Sequence, residues 1–390
     1  MKLLIKLAAR NLIGAGRRTW LNVIVLSFSF IVIIWHKGIL DGWDRQARND
    51  MINWEIGSGQ FWQNSYDPYD PFSLTEAHAR VPAEFDTTVQ NGNMAAILVT
   101  QGTIYPSGRI RSILIKGINP GQNVIRIPSV LFNENKDAIP VLIGKKMAAE
   151  NGIKEGDAIT LRWRDKHGTF DANEIKVVKI FDANVPEIDA GQVWIPLPAL
   201  QKMMNMPGEA TILVSGSEGA SKVKPDGWKF KSRENLLQSI TDIIKMKSVG
   251  GYVLYIILLS LAMLAIFDTQ VLSIFRRQKE IGTYIALGMT RVQVVGLFTL
   301  EGSLVSVLAS LLAAIYGIPL LAIQAVKGMS LQGASDYGVA MADKIFPVYS
   351  LGLILTTVIL IMITTTIVSY LPSRKIAKMK PTEALRGKLQ

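Results

Sequence analysis

No cysteine occurs among the 390 residues. Disulfides and thiolate chemistry are therefore excluded, and an exported domain would have to rest on its own core. Histidine is scarce: His36, His78 and His167 are the three present, and their spacing fits no metal motif. A phosphate-binding P-loop is missing. The nearest fragment, Gly144-Lys145-Lys146, has Ile139 where the motif needs glycine and Lys146 where it needs serine or threonine. No Gly-x-Ser-x-Gly elbow is present. The paired carboxylates Glu187 and Asp189 read most simply as solvated loop charges. The chain is thus expected not to be an enzyme and to bind neither metal nor cofactor itself.

What is present is apolar and basic. Hydrophobic residues make up 49% and the net charge is +11, too apolar for an ordinary soluble protein. The basic residues cluster. Lys2, Lys6, Arg10, Arg17 and Arg18 precede the first apolar run. Arg276, Arg277, Lys279 and Arg291 lie in a central stretch, and Arg374, Lys375, Lys378, Lys380, Arg386 and Lys388 follow the last run. This is positive-inside topology rather than a nucleic-acid footprint.

Four apolar runs are long enough, or nearly so, for the ~20 residues that a span needs. The first, Thr19–Trp35, is short; Arg17, Arg18 and Lys37 can complete it by snorkelling. It ends in Trp-His-Lys rather than a small-residue cleavage site, which argues against a signal peptide. The second run is 250–275, the third 292–326 and the fourth 345–373. Both termini and the central stretch are then expected in the cytoplasm.

Between spans one and two the character changes. Strand-like runs at 95–100, 110–116, 158–164, 174–181, 192–195 and 211–214 indicate a mixed α/β extracytoplasmic domain. Its early loop, Tyr66-Asp-Pro-Tyr69-Asp-Pro-Phe72, has no period and reads as an ordered loop or a docking surface. The flanks are helical. Ile39, Leu40, Trp43, Ala47 and Met51 follow a helix period after span one. Leu236, Leu237, Ile240, Ile243, Ile244 and Val249 do so before span two. Both stripes need burial, and packing them together as a stalk is the economical solution. The expected fold is an α+β membrane protein. Its parts are a cytoplasmic segment 1–18, span 19–38, stalk helix 39–55, extracytoplasmic domain 56–232, stalk helix 233–249 and span 250–275. A cytoplasmic helix 276–290, span 291–324, loop 325–345, span 346–372 and tail 373–390 follow.

The central stretch, 276–301, organises the rest. Ile281, Tyr284 and Ile285 place an apolar face on a short helix behind four charges, Arg276, Arg277, Lys279 and Glu280. Gly288 is placed to end it, and Thr290 with Gln293 fits a capping box for the next helix. Such a helix either touches a partner or lies on lipid headgroups. Asp268 and Glu301 fall within the spans, where an unpaired charge costs at least about 2.5 kcal/mol at mid-depth. They form a polar joint inside the bundle or, more simply, sit near the interface and pair with basic residues.

Arg277-Gln-Lys-Glu280-Ile-Gly282, Ala286-Leu287-Gly288 and Glu301-Gly302 together resemble the signature of the FtsX-like permease family, the MacB/LolC/LolE group of ABC transporter membrane subunits. Leu371-Pro372-Ser-Arg374 with Pro381-Thr-Glu383-Ala-Leu385-Arg386 is similar to its closing motif. Ala9-Arg10-Asn11-Leu12 fits its opening, and Ile143-Gly144 with Gly156-Asp157 resembles its periplasmic core domain. The resemblance implies a dimer, formed with a second copy or a related subunit, and a separate cytoplasmic ABC ATPase carrying ATP and magnesium. It also implies an ATPase-coupling role for Arg276, Arg277, Lys279, Glu280, Ile281, Gly282, Tyr284, Leu287 and Gly288. Motion would pass along the stalk (Leu40, Trp43, Leu237, Ile240, Ile244) to the outer domain. Tyr66, Tyr69 and Phe72 are the candidate contact for a lipoprotein, periplasmic chaperone or adaptor. Lipoprotein release leads; activation of a cell-wall hydrolase, peptide sensing and adaptor-dependent efflux are the alternatives.

Overall fold

The computed structural model describes residues 6–8, 10–12, 16–134, 138–217, 219, 223–330 and 344–374. Helix α1 (Arg17–Met51) has 35 residues, a length of about 52 Å at 1.5 Å per residue. That exceeds the ~30 Å of a bilayer's hydrocarbon core, so the apolar run and the flank behind it form one unbroken element. A single π turn, Ile52–Ile56, ends it: Gly57 N–H donates to Ile52 O at 2.8 Å with φ of 62°, a conformation that suits glycine.

The chain then enters the inserted domain. Its strands are β1 (Gly59–Gln63), β2 (Ala79–Arg80), β3 (Met94–Ile104), β4 (Arg111–Ile118), β5 (Ile139–Gly144), β6 (Ala158–Arg164), β7 (Phe170–Phe181), β8 (Gln192–Pro196), β9 (Glu209–Ala210), β10 (Ile212–Ser215) and β11 (Trp228–Ser232). The main sheet runs β11-β1-β10-β3-β4-β8-β5-β7-β6, and β6 also pairs with β3. Strand β3 is shared. Its first half pairs with β10, Ile97 facing Ile212, and its second half with β6, Gly102 facing Trp163. The second pairing closes β3, β4, β8, β5, β7 and β6 into a barrel. Gly102 permits the closure, because a Cβ there would stand 2.4 Å from Ile115 Cδ1 and 3.0 Å from Arg162 O. Ile104, Ile115, Val141, Leu161, Val177 and Val193 fill the core beneath helices α2 (Ala83–Gln90), α3 (Lys145–Asn151), α4 (Pro186–Gly191) and α5 (Leu197–Met204).

Three strands of the main sheet, and the two-residue β2 and β9, are absent from the sequence reading. β1 precedes the loop Tyr66–Phe72, and β5 and β11 carry too few residues of alternating polarity to announce themselves. Asp189 also departs: it sits on α4 rather than in a solvated loop. Its Oδ1 accepts Lys146 N–H at 3.2 Å, and its backbone lies against Gly144, where a Cβ would come within 2.2 Å of Asp189 O. Burial pushes its carboxyl above the usual aspartate range.

After the short α6 (Arg233–Leu236), capped by Ser232 Oγ accepting Asn235 N–H, the chain breaks at Leu237. It then forms α7 (Gln238–Arg276), α8 (Gln278–Ala286), α9 (Arg291–Lys327) and α10 (Leu351–Ser373). The second flank is therefore not one helix from 233. The fourth span begins later than expected, because Pro347 has no N–H to give a helix and Ser350 supplies the cap, accepting Leu353 N–H at 3.2 Å. Four helices, Thr19–Ile56, Gln238–Arg276, Arg291–Lys327 and Leu351–Ser373, are long and apolar enough to cross a membrane. The protein is a multi-pass α+β membrane protein.

The chain divides into two compact units. The helical unit holds residues to Trp43, Ile244–Met329 and from Phe346; the other holds Asp44–Ile243 and Ser330–Ile345. Within the helical unit, Phe30, Ile34, Met263, Ile266, Ala309 and Ile361 form the core. Gly302 allows α9 to approach its neighbours closely, since a Cβ there would stand 2.1 Å from Ser369 Oγ on α10 and 2.8 Å from Gln270 Nε2 on α7.

Candidate functional site

Helix α8 is short and firmly ended. Gly288, at φ 95°, donates its N–H to Ile285 O at 3.1 Å, and Met289 N–H reaches back to Tyr284 O at 3.0 Å. These two bonds make a Schellman motif, closed by contact between Met289 and the apolar face of α8. Thr290 then caps α9 reciprocally: Gln293 N–H donates to Thr290 Oγ1 at 3.3 Å, and Thr290 N–H donates to Gln293 Oε1 at 2.8 Å. One chain reversal thus leaves few helix-end groups unsatisfied.

The apolar face of α8 is anchored. Ile281 is fully buried against Ile274 of α7 and Val294, Val295 and Phe298 of α9, with Tyr284 and Ile285 packed alongside. Gly282 is buried too. Ile281, Gly282 and Tyr284 therefore fix the helix to the bundle instead of presenting it. The exposed side carries Arg276, Lys279, Glu280, Leu287 and Gly288; Leu287 is 79% exposed, an unusual place for a large aliphatic side chain at the end of a polar helix.

Behind the helix lies a buried ionic junction. Arg277 Nη1 donates to both oxygens of Glu301, at 2.9 and 3.0 Å, and its Nε to Glu280 Oε2 at 2.7 Å. The guanidinium also lies over the Phe298 ring, 4.9 Å from its centroid. Asn11 Nδ2 donates to Glu301 Oε1 at 2.6 Å. Glu301, 7% exposed, thus joins the segment before α1, the start of α8 and the body of α9 through one carboxylate. Charge-assisted bonds of this kind are stronger than neutral ones. Sequence reasoning did not single out Asn11, which lies 290 positions from Glu301; its place in Ala9-Arg10-Asn11-Leu12 was the available signal. Asp268 lies apart from this junction, on an exposed surface of α7.

The stalk residues divide by unit. In the helical unit, α1 and α7 meet where His36 Nδ1 lies 3.0 Å from Tyr255 OH, and Leu40 approaches Gly251. In the other unit Arg48 Nη2 donates to Thr241 Oγ1 at 2.8 Å. Trp43 and Leu237 are buried and Ile240 is half-buried, whereas Ile243 and Val249 of the expected stripe are exposed. The side chain of Ile244 lies outside the described residues. Beyond Met51, Trp54 stacks on Phe181 with centroids 5.6 Å apart, and Glu55 Oε1 accepts Lys116 Nζ at 3.0 Å. Lys116 is buried and lies over Trp194. The end of α1 is thereby locked into the inserted domain.

The aromatic loop is ordered and ends in a 3₁₀ turn, Pro71–Thr75. Asp67 Oδ1 accepts Tyr69 N–H and Asp70 Oδ1 accepts Phe72 N–H, both at 2.9 Å, as Asx turns. Tyr66 packs edge-on against Trp62, and burial pushes its hydroxyl pKa up. Tyr69 and Phe72 point away, 84% and 85% exposed. Among the described residues no group of histidines and carboxylates could hold a metal ion.

Residues 252–381 match the family model described as FtsX-like permease C-terminal. The chain carries an FtsX-like permease domain. Arg277 and Glu301 of the junction, the capped α8 and the close crossing at Gly302 lie within it; Asn11 lies outside. The extracellular domain of the ABC-type transporter YknZ from Gram-positive bacteria is a similar solved structure, at 14% identity and a TM-score of 0.27, covering 42% of this chain and 86% of that one. No curated protein matches the chain.

Proposed function

We propose that this FtsX-like permease is the membrane subunit of an ABC transporter whose ATPase is a separate cytoplasmic chain holding ATP and magnesium. The ATPase docks on the exposed side of α8, at Lys279, Glu280 and Leu287. The observation that carries this reading is the carboxylate of Glu301, which ties α8 to α9 and to the segment before α1. A push on α8 reaches the root of α1 through Arg277, Glu301 and Asn11. Helix α1 runs without interruption to Met51, and Trp54 with the Glu55–Lys116 pair hands its movement to the inserted domain.

In this reading the inserted domain faces the periplasm, both termini are cytoplasmic, and the protein sits in a bacterial inner membrane. Two copies, or this chain and a related subunit, work together; the exposed apolar residues Ile243, Met246, Val249 and Val253 on α7 suit that contact. The work done is release of a lipoprotein or movement of another amphiphile, with Tyr69 and Phe72 as the contact for substrate, chaperone or adaptor. The test is to purify the tagged chain from its native membrane with its bound ATPase and measure ATP turnover. Stimulation by a lipidated peptide supports release. Stimulation by a soluble hydrolase or adaptor instead keeps the coupling and replaces the substrate. Absence of any bound ATPase overturns the reading.

A further inference from the structure

The helical unit contains a cleft of about 510 Å³ between the segment before α1, α1 itself, α7, α8 and α9. Arg10, Arg276 and Arg277 line it together with Glu280 and Glu301. The charges do not cancel locally. Both carboxylates are engaged by Arg277, whose five donors suffice for them. Arg10 and Arg276 have no ion pair or hydrogen bond among the described residues, and both are exposed at the cleft.

A second feature is independent of these arginines. Gln270 also lines the cleft, is 7% exposed, and its Oε1 has no hydrogen-bond partner among the described residues. A buried amide oxygen without a partner is costly, and a hydroxyl or water of an occupant would satisfy it. Leu12, Ile266 and Val305 add apolar lining. Cationic forks at the mouth, a polar acceptor within and apolar lining at the ends of membrane-crossing helices match a phosphate-bearing group with an attached glycerol or acyl chain.

We infer that this cleft binds a phosphate group through Arg10 and Arg276, supplied either by an anionic phospholipid or by soluble phosphate. The phosphate oxygens accept from the two guanidinium forks, and the glycerol of a lipid such as phosphatidylglycerol lies toward Gln270, whose enclosed amide oxygen gains a partner when the side chain turns to it. Occupancy would steady the junction at Glu301, which lines the same cleft.

The experiment uses the full chain in detergent, with native mass spectrometry counting bound phosphatidylglycerol and phosphatidylcholine, and inorganic phosphate as competitor. Wild type retains phosphatidylglycerol over phosphatidylcholine, and Arg10→Gln with Arg276→Gln lowers that preference about thirty-fold, as loss of two interfacial cations implies. The charge-retaining Arg10→Lys with Arg276→Lys keeps part of the preference, which separates lost binding from lost folding. Lys202→Gln, on α5 of the inserted domain, leaves it unchanged. Displacement of the lipid by millimolar inorganic phosphate, or phosphate binding lost in the Gln pair without lipid preference, assigns the site to soluble phosphate. No preference for phosphatidylglycerol together with no arginine-dependent phosphate binding overturns the inference.

Discussion

Glu301 depends on a single permanent cation. Removing Arg277 strands a carboxylate that is 7% exposed, whereas removing Glu301 leaves Arg277 still paired with Glu280. Breaking a buried pair from one side costs about 3–5 kcal/mol, so Arg277→Gln should destabilise the detergent-solubilised chain more than Glu301→Gln. The double variant should recover much of the loss. A double-mutant cycle on thermal unfolding checks this, and equal losses in both single variants would refute it. Asp165 shows a different electrostatic effect. Its carboxylate accepts N–H bonds from Thr169, His167 and the Asn205 amide, led by Thr169, which hold its pKa below the usual aspartate value. A depressed folded pKa adds stability above the unfolded value and loses it as pH falls through the folded one. Asp165→Asn should therefore lower the thermal transition at neutral pH, and the gap to wild type should narrow as pH falls below the ordinary aspartate value.

Packing of whole elements turns on Gly302, and Gly296 is its control. Gly302→Ala puts a methyl into Ser369 and Gln270 and should destabilise the bundle by about 1–3 kcal/mol. Gly296→Ala, on the same helix with nothing near its Cβ, should be neutral or slightly stabilising. Equal effects would mean that helix propensity rather than α9–α10 contact decides the outcome. The pairing of α1 with α7 is open to a direct test because the chain has no cysteine. Arg48→Cys with Thr241→Cys should be joined by a bifunctional maleimide of about an arginine side chain's length, whose reach replaces the guanidinium bond, while Arg48→Cys with Met246→Cys should be joined far less. The helical character of the two flanks was readable from helix period, the break at Leu237 was not, and Ile243 and Val249 are exposed where the stripe implied burial. Period marks an apolar face and does not say whether the same chain covers it.

At the scale of the molecule, four spans and a mixed α/β insertion were legible because long apolar runs and β-branched clusters are written locally in the sequence. β6 could be read from alternation alone along Ala158–Arg164. β1 could not, because Gly59-Gln-Phe-Trp-Gln owes its place to pairing with β10 and β11, partners far along the chain. Barrel closure by β3 and β6 was equally hidden, resting on the missing Cβ of Gly102. The Arg277–Glu301 contact was within reach of helix arithmetic, and its third partner, Asn11, was not. The account's central claim is that α8 drives the inserted domain through Glu301. The most direct test is a spin label at Tyr69 in proteoliposomes containing the co-purified ATPase, read with and without ATP in wild type and Arg277→Gln. The account predicts ATP-dependent change in the label's mobility in wild type and its loss in Arg277→Gln, with the ATPase still bound. An equal response in both would contradict it.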